Sequence, residues 1–146
     1  MVSRVFSAGL SGIDGYIVTV ECFLSGGLPR LDVVGLPTGA VSEAGERVRA
    51  AAKACAFDWP VSRLTVNLAP ADTKKAGTAY DLPLLLSILA AAGEIDAPPD
   101  NALFFGELSL TGELRPVCGA LSMALAARDA GFKTVFVPAM NAAEAS

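Results

Sequence analysis

Residues 63–93 read RLTVNLAPADTKKAGTAYDLPLLLSILAAAG, and this block decides the fold. Leu64 to Leu68 is a strand-like run. Ala69 to Tyr80 is a polar loop punctuated by Pro70 and Gly77. Leu82 to Ala92 is then apolar on every side, with Ser87 its one polar residue. A helix of that composition must be covered on every side. At 11 residues it is too short to cross a bilayer, which takes roughly 20. It therefore reads as the central helix of a folded core. Asp81 is expected to cap its N-terminus, where a carboxylate accepts from free N–H groups and meets the positive end of the helix dipole. Pro83 falls in the first turn, where its missing N–H costs little, and Gly93 is a natural stop. A strand that hands over to a helix through a surface loop is a common place for an active site.

Outward from this block, the N-terminal half is rich in strands. Val2 to Ala8 reads as a short strand, and Gly9, Gly12 and Gly15 are expected to break the chain around Asp14. Tyr16 to Leu24 (YIVTVECFL) is strongly β-forming. With Ser25-Gly26-Gly27 as a turn, it is expected to form a hairpin with Leu31–Val34. A helix capped by Thr38 or Ser42 follows. Val41, Ala44, Val48, Ala51, Ala52 and Cys55 share one of its faces, and Glu43, Glu46, Arg47, Arg49 and Lys53 occupy the others.

Beyond the central block, Asp96 to Asp100 (DAPPD) is a surface loop. Leu103 to Leu110 is strand-like but interrupted by Gly106, and Glu113 to Val117 returns as a short strand after the Thr111-Gly112 turn. Ala120 to Ala130 reads as an amphipathic helix through Leu121, Ala124, Leu125 and Arg128, stopped by Gly131. Thr134 to Val137 reads as a buried strand, and Asn141 as the cap of a helix that the chain leaves after one turn. The expected class is α+β, a mixed sheet with flanking helices, in one domain over residues 1–146. Ending so soon into a helix, the chain reads as part of a longer protein.

Composition narrows the chemistry. The 146 residues are 53% hydrophobic and 18% charged, with a formal net charge of −4. That balance does not favour a dedicated nucleic-acid binder. The charge is uneven, however: residues 1–75 hold 8 Lys and Arg against 7 Asp and Glu, while residues 76–146 hold 3 against 8. The sequence has no His, so His-based triads and His metal sites are excluded. Cys22, Cys55 and Cys118 are too scattered for a metal or redox motif and read as buried free thiols of a reducing compartment. No basic start and apolar run marks a signal peptide, so a cytoplasmic location without membrane contact is expected.

Candidate sites are few. Lys74-Lys75-Ala76-Gly77-Thr78 lacks the Gly-x-x-x-x-Gly-Lys-Ser/Thr spacing that cradles phosphate, so ATP binding by this chain is not expected. Asp72 and Asp81, or Glu107 and Glu113, are conceivable carboxylate pairs, but capping and turn roles account for the first pair more simply. A Ser nucleophile would need Lys as its base, since His is absent. Arg47, Arg49, Arg63, Lys74 and Lys75 are the positive side chains that a partner or DNA would meet. For Arg47 and Arg49, solvated helix charge is the plainer account.

Six stretches in order resemble one family. They are Gly35–Pro37, Glu46–Ala51 (ERVRAA), Asn67–Asp72 (NLAPAD), Lys75–Pro83, Gly106–Gly119 (GELSLTGELRPVCG) and TVFVPAMNAAEA at the end. Together they resemble the N-terminal domain of the ComM/YifB proteins, bacterial AAA+ ATPases similar to a Mg-chelatase subunit. The resemblance implies the ribosomal protein S5 domain 2-like fold of the Lon proteolytic domain. Lon uses a Ser–Lys dyad, its Ser in a K-D-G-P-S-A-G loop. Counted from Lys75 and Gly77, the Ser position falls on Ala79, and the Lys position falls near Leu121. Neither side chain supplies a nucleophile or a base, so the resemblance implies a domain without peptidase activity. It further implies ATP and Mg in a C-terminal motor, a hexamer of neighbouring subunits, and a link to DNA uptake and recombination. Within that frame the expected role is assembly or docking of a partner or DNA. A nucleic-acid-binding module is the alternative, and an active Lon-like peptidase a weaker one.

Overall fold

The computed structural model describes residues 2–70 and 78–145. Three strands open the chain, β1 (Val2–Ser11), β2 (Asp14–Ser25) and β3 (Arg30–Val34). Then come α1 (Thr38–Ala54), β4 (Arg63–Ala69) and α2 (Asp81–Ala91). The remainder is β5 (Ala102–Phe104), β6 (Glu107–Leu108), β7 (Leu114–Arg115), α3 (Ala120–Asp129), β8 (Thr134–Phe136), a 3-10 turn (Ala139–Asn141) and α4 (Ala142–Ala145). Six strands form one mixed sheet in the order β3-β4-β2-β1-β5-β8, and β6 pairs with β7 as a separate ribbon. The expected α+β class with a mixed sheet and flanking helices is what the chain adopts.

β4 lies between β3 and β2, with alternate residues buried. Leu64, Val66 and Leu68 are buried on one face, opposite Leu24, Cys22 and Val20 of β2. α1 and α2 cover that face. α2 has no exposed residue, as its all-apolar composition requires: it packs on β1, β2, α1 and β6. Burial of side chains such as Leu84, Ile88 and Leu89 contributes about 1.5–3 kcal/mol each. On the other face of the sheet, α3 covers only the end near the β1–β2 turn. There Ala120, Met123 and Ala127 pack against Ala8, Leu103 and Phe105. No helix among the described residues is long and apolar enough to cross a membrane.

Several expectations are corrected. β2 and β3 do not pair as a hairpin. β4 inserts between them, antiparallel to β2 and parallel to β3. The four-residue link 26–29 is long enough to step over two strand spacings, about 10 Å, where a two-residue turn would have forced direct pairing. The hairpin is instead β1–β2, closed by Gly12-Ile13 with Ser11 opposite Asp14. Gly12 supplies the positive φ (65°) that this two-residue turn needs. Gly9 and Gly15 are not breaks but strand residues at close approaches: a Cβ would overlap the Tyr80 hydroxyl at Gly9 and the Ser122 carbonyl oxygen at Gly15.

The helices and strands of the C-terminal half differ as well. The buried face of α3 is Ala120, Met123 and Ala127, and Leu121 and Leu125 point outward, 46% and 40% exposed. β8 is an edge strand with Thr134 and Phe136 exposed, not a buried one. The Leu103–Leu110 run divides at Gly106 into β5 and β6, which belong to different sheets. Neither Thr38 nor Ser42 caps α1, whose N-cap is Pro37 without a side-chain bond. Asn141 does not act as a cap but grips the backbone of Val117, its Oδ1 accepting from the N–H (2.9 Å) and its Nδ2 donating to the carbonyl (3.1 Å). Of the cysteines only Cys22 is buried; Cys55 and Cys118 are exposed.

Two measurements check this packing. Gly15→Ala is expected to lower stability by about 2 kcal/mol in urea titration, because its Cβ meets backbone. Gly26→Ala, facing open space, should change it by less than about 0.5 kcal/mol. Thiol titration of the native chain should label Cys55 and Cys118 and spare Cys22, whose thiol burial pushes up to about 11.

Candidate functional site

The strand-to-helix junction is built around one carboxylate. Asp81 is the first residue of α2, and Tyr80 occupies the N-cap position, so the expected capping role of Asp81 is not what the structure has. The Asp81 side chain is 2% exposed and forms a two-pronged ion pair with Arg47 of α1. Arg47 Nε donates to Oδ2 at 2.6 Å, and a terminal guanidinium nitrogen donates to Oδ1 at 3.0 Å. Leu108 N–H of β6 adds a third bond to Oδ2 at 3.1 Å. Backbone bonds close the same joint: Gly106 N–H donates to Ala79 O (2.9 Å), and Leu82 N–H to Gly106 O (3.1 Å). One carboxylate thus holds α1, α2 and β6 together.

Burial sets the electrostatics. Desolvation raises the Asp81 pKa above the ordinary carboxylate value, and the Arg47 bond and the Leu108 N–H oppose it only in part. The Arg47 guanidinium is held more firmly protonated, chiefly by its hydrogen bond to Asp81. Both Asp81 oxygens are engaged, so this carboxylate is not poised as a general base. Arg47, 22% exposed and committed to Asp81, is likewise removed from the positive surface on which it was expected.

The other expected residues lie apart. Ala79 is half-buried against the α3-side core. Leu121 faces out from α3, and its N–H donates to Glu144 Oε2 at 3.0 Å. Arg49 is half exposed, 3.8 Å from Glu46, with its guanidinium 5.4 Å from the centre of the Trp59 ring. Arg63 is also half exposed and shares Asp32 with Arg30, at 3.6 Å and 2.9 Å. A cleft of about 180 Å³ has Arg30, Arg49 and Trp59 in its wall, and neither Arg47 nor Arg63 lines it. Glu113 serves the turn through its backbone, its N–H donating to Ser109 Oγ at 3.0 Å. Asp72, Lys74 and Lys75 lie outside the described residues.

Sequence reasoning missed the Arg47–Asp81 pair, whose members are 34 positions apart. A usable signal was present: a carboxylate heading an all-apolar helix is buried with it and needs a cation. Arg30, Asp32 and Trp59 were also missed, since only the β3–β4 pairing brings the first two beside Arg63.

Breaking the pair on one side should be costly. Asp81→Leu is expected to lose about 3 kcal/mol in urea titration, because Arg47 is left uncompensated, and Arg47→Met in the same chain should recover most of it. The pH dependence follows from the raised carboxyl pKa. Below the unfolded value of about 3.8 both states hold the proton, and the group's favourable contribution is complete. It declines as pH rises through the folded value. The stability of wild type relative to the double variant should therefore fall from acidic to neutral pH.

Comparison with known proteins supplies the family. The model for subunit ChlI of Mg-chelatase matches residues 20–141. An uncharacterized protein of Mycobacterium tuberculosis is 44% identical over 146 residues, 99% of this chain and 29% of its own length. The competence protein ComM of Haemophilus influenzae is 43% identical over 143 residues, 97% of this chain and 28% of ComM. The uncharacterized protein YifB of Escherichia coli is 42% identical over 135 residues, 92% of this chain and 27% of YifB. The chain thus spans less than a third of the length of these relatives. A more distant likeness, 36% over 80 residues, joins 55% of the chain to 8% of a mitochondrial Lon protease homolog of Caenorhabditis briggsae. The chain belongs to the family of Mg-chelatase subunit ChlI, the Mg-chelatase-like family in which ComM and YifB stand.

Proposed function

We propose that this chain is a non-catalytic docking domain of a Mg-chelatase-like AAA+ ATPase, with the S5 domain 2-like topology of the Lon proteolytic domain. One observation carries the reading. At the junction where a Lon-like nucleophile would stand, Ala79 offers a methyl group, and the nearby carboxylate of Asp81 has both oxygens bound by Arg47 and Leu108. Leu121, at the position corresponding to the base, offers no proton acceptor. What remains is a surface-bearing scaffold. In the longer protein, ATP and Mg would act in a motor outside this chain, and the domain would serve ring assembly or the docking of a partner during DNA uptake or recombination. The name of ComM, a competence protein, supports that last role.

A second reading, contact with nucleic acid, is favoured by the stacking of Arg49 on Trp59 beside Arg30. Two assays separate the possibilities. Incubated with fluorescently quenched casein, the chain should release no signal above buffer, and turnover that vanished in Lys75→Ala would overturn the docking reading. Anisotropy of a labelled oligothymidine tests the second reading. If nucleic acid is the partner, binding should weaken steeply with salt and drop about tenfold in Arg49→Glu, and silence at about 50 mM salt ends it.

A further inference from the structure

The side of the sheet away from α1 and α2 is only half covered. α3 and Phe132 close the end near the β1–β2 turn, where Ala8 is buried and Phe132 meets Phe6, with ring centres 5.3 Å apart. Beyond Phe6, among the described residues, β1, β2, β4 and β3 present an uncovered four-stranded surface. Its layout follows from the pairing registers, because every second residue of a strand shares a face. One row across the strands is Val2, Phe23, Thr65 and Asp32. The row on one side carries Arg63 and Arg30, and the row on the other carries Arg4 and Glu21. Val2 is 64% exposed and Phe23 51%, so an apolar strip lies open between cations.

Size, charge and composition select the occupant. Four strands with two or three outward residues each make a surface about 15–20 Å on a side, roughly 300–400 Å². A stable pairing of two copies needs about 800 Å² from each partner, so a second copy is disfavoured. One helix, about 10 Å across and about 14 residues long, matches the strip. Arg63 and Arg4 on opposite sides of the strip call for acidic residues on both shoulders of that helix. A nucleic-acid strand fits less well. Asp32 draws on both Arg30 and Arg63, Glu21 pairs across from Arg4, and Arg4 itself lies 5.4 Å from the Phe6 ring centre, so no continuous cationic track follows a backbone. An exposed aromatic framed by arginines is instead the make-up of a protein-binding hot spot.

We propose that this open half-sheet, centred on Phe23, docks one amphipathic helix of a partner protein, its apolar seam on Val2 and Phe23 and its acidic shoulders against Arg63 and Arg4. The proposal rests on the docking reading above and names its partner chemistry. The test uses the full-length protein in the cells that make it, with photoreactive benzoylphenylalanine in place of Phe23, and with the same probe at Leu28, which is 87% exposed, as the control. The adduct is sequenced by mass spectrometry, and the urea midpoint checks that the variant folds. The expected adduct is a protein segment with apolar residues at helical spacing and Asp or Glu on either side. Arg63→Glu should cut its yield about tenfold. An adduct with nucleic acid, with a second copy or with a basic or extended segment overturns the helix but leaves docking in place. A yield no greater than that from Leu28 overturns the site altogether. Failure of the docking reading itself is seen separately, as casein turnover.

Discussion

The buried pair between Arg47 and Asp81 is the constraint on which the rest of this structure turns. An apolar helix headed by a carboxylate cannot enter a core unless the charge finds a partner, since an unpaired buried carboxylate costs several kcal/mol or more. Arg47 provides that partner from α1, and the Leu108 N–H adds a neutral bond from β6. Desolvation still outweighs the attraction, as the raised carboxyl pKa indicates. The pair is therefore better understood as setting how α1, α2 and β6 meet than as a large source of stability. Three elements distant in the chain share one hydrogen-bonded point, and none can slide without stranding a charge.

That same point accounts for the character of the junction. A strand-loop-helix handover offers an exposed edge for chemistry, yet here the helix start is sealed by β6 and the Gly106 backbone, which bonds to both Ala79 and Leu82. Tight closure and a free acid–base group are incompatible uses of one carboxylate. The features that remain open to solvent lie elsewhere: the Arg49–Trp59 cleft, the uncovered half of the sheet, and the outer side of α3.

The unequal cover of the two sheet faces has a simple origin. One face receives two helices, α1 and α2, from the two connections that flank β4. Among the described residues the other receives only α3, ten residues long, which reaches no further than the β1–β2 end. Small residues permit that close approach: Gly15 lies against the Ser122 carbonyl, and Gly119 against the Leu10 side chain. The rest of that face is solvated and carries charged residues such as Arg4, Glu21 and Arg63 beside the exposed Val2 and Phe23.

Local pattern made much of this protein legible in advance. The β-branched and aromatic run YIVTVECFL and the strand-like LTVNL marked β2 and β4, and the unbroken apolar run after Asp81 marked α2 as covered on all sides, because these signals depend only on neighbours along the chain. The absence of His, and Ala79 in the junction loop, limit the chemistry from the sequence alone. Tertiary structure alone decided which strands pair, so β4 rather than β3 lies beside β2. It alone turned Arg47 from a surface charge into the partner of Asp81, and made Asn141 a clamp on Val117 instead of a helix cap. The same holds for α3, where Ala120, Met123 and Ala127 face the sheet and Leu121 and Leu125 face out. Each of these outcomes rests on contacts between residues far apart in sequence, and local periodicity carries no record of them.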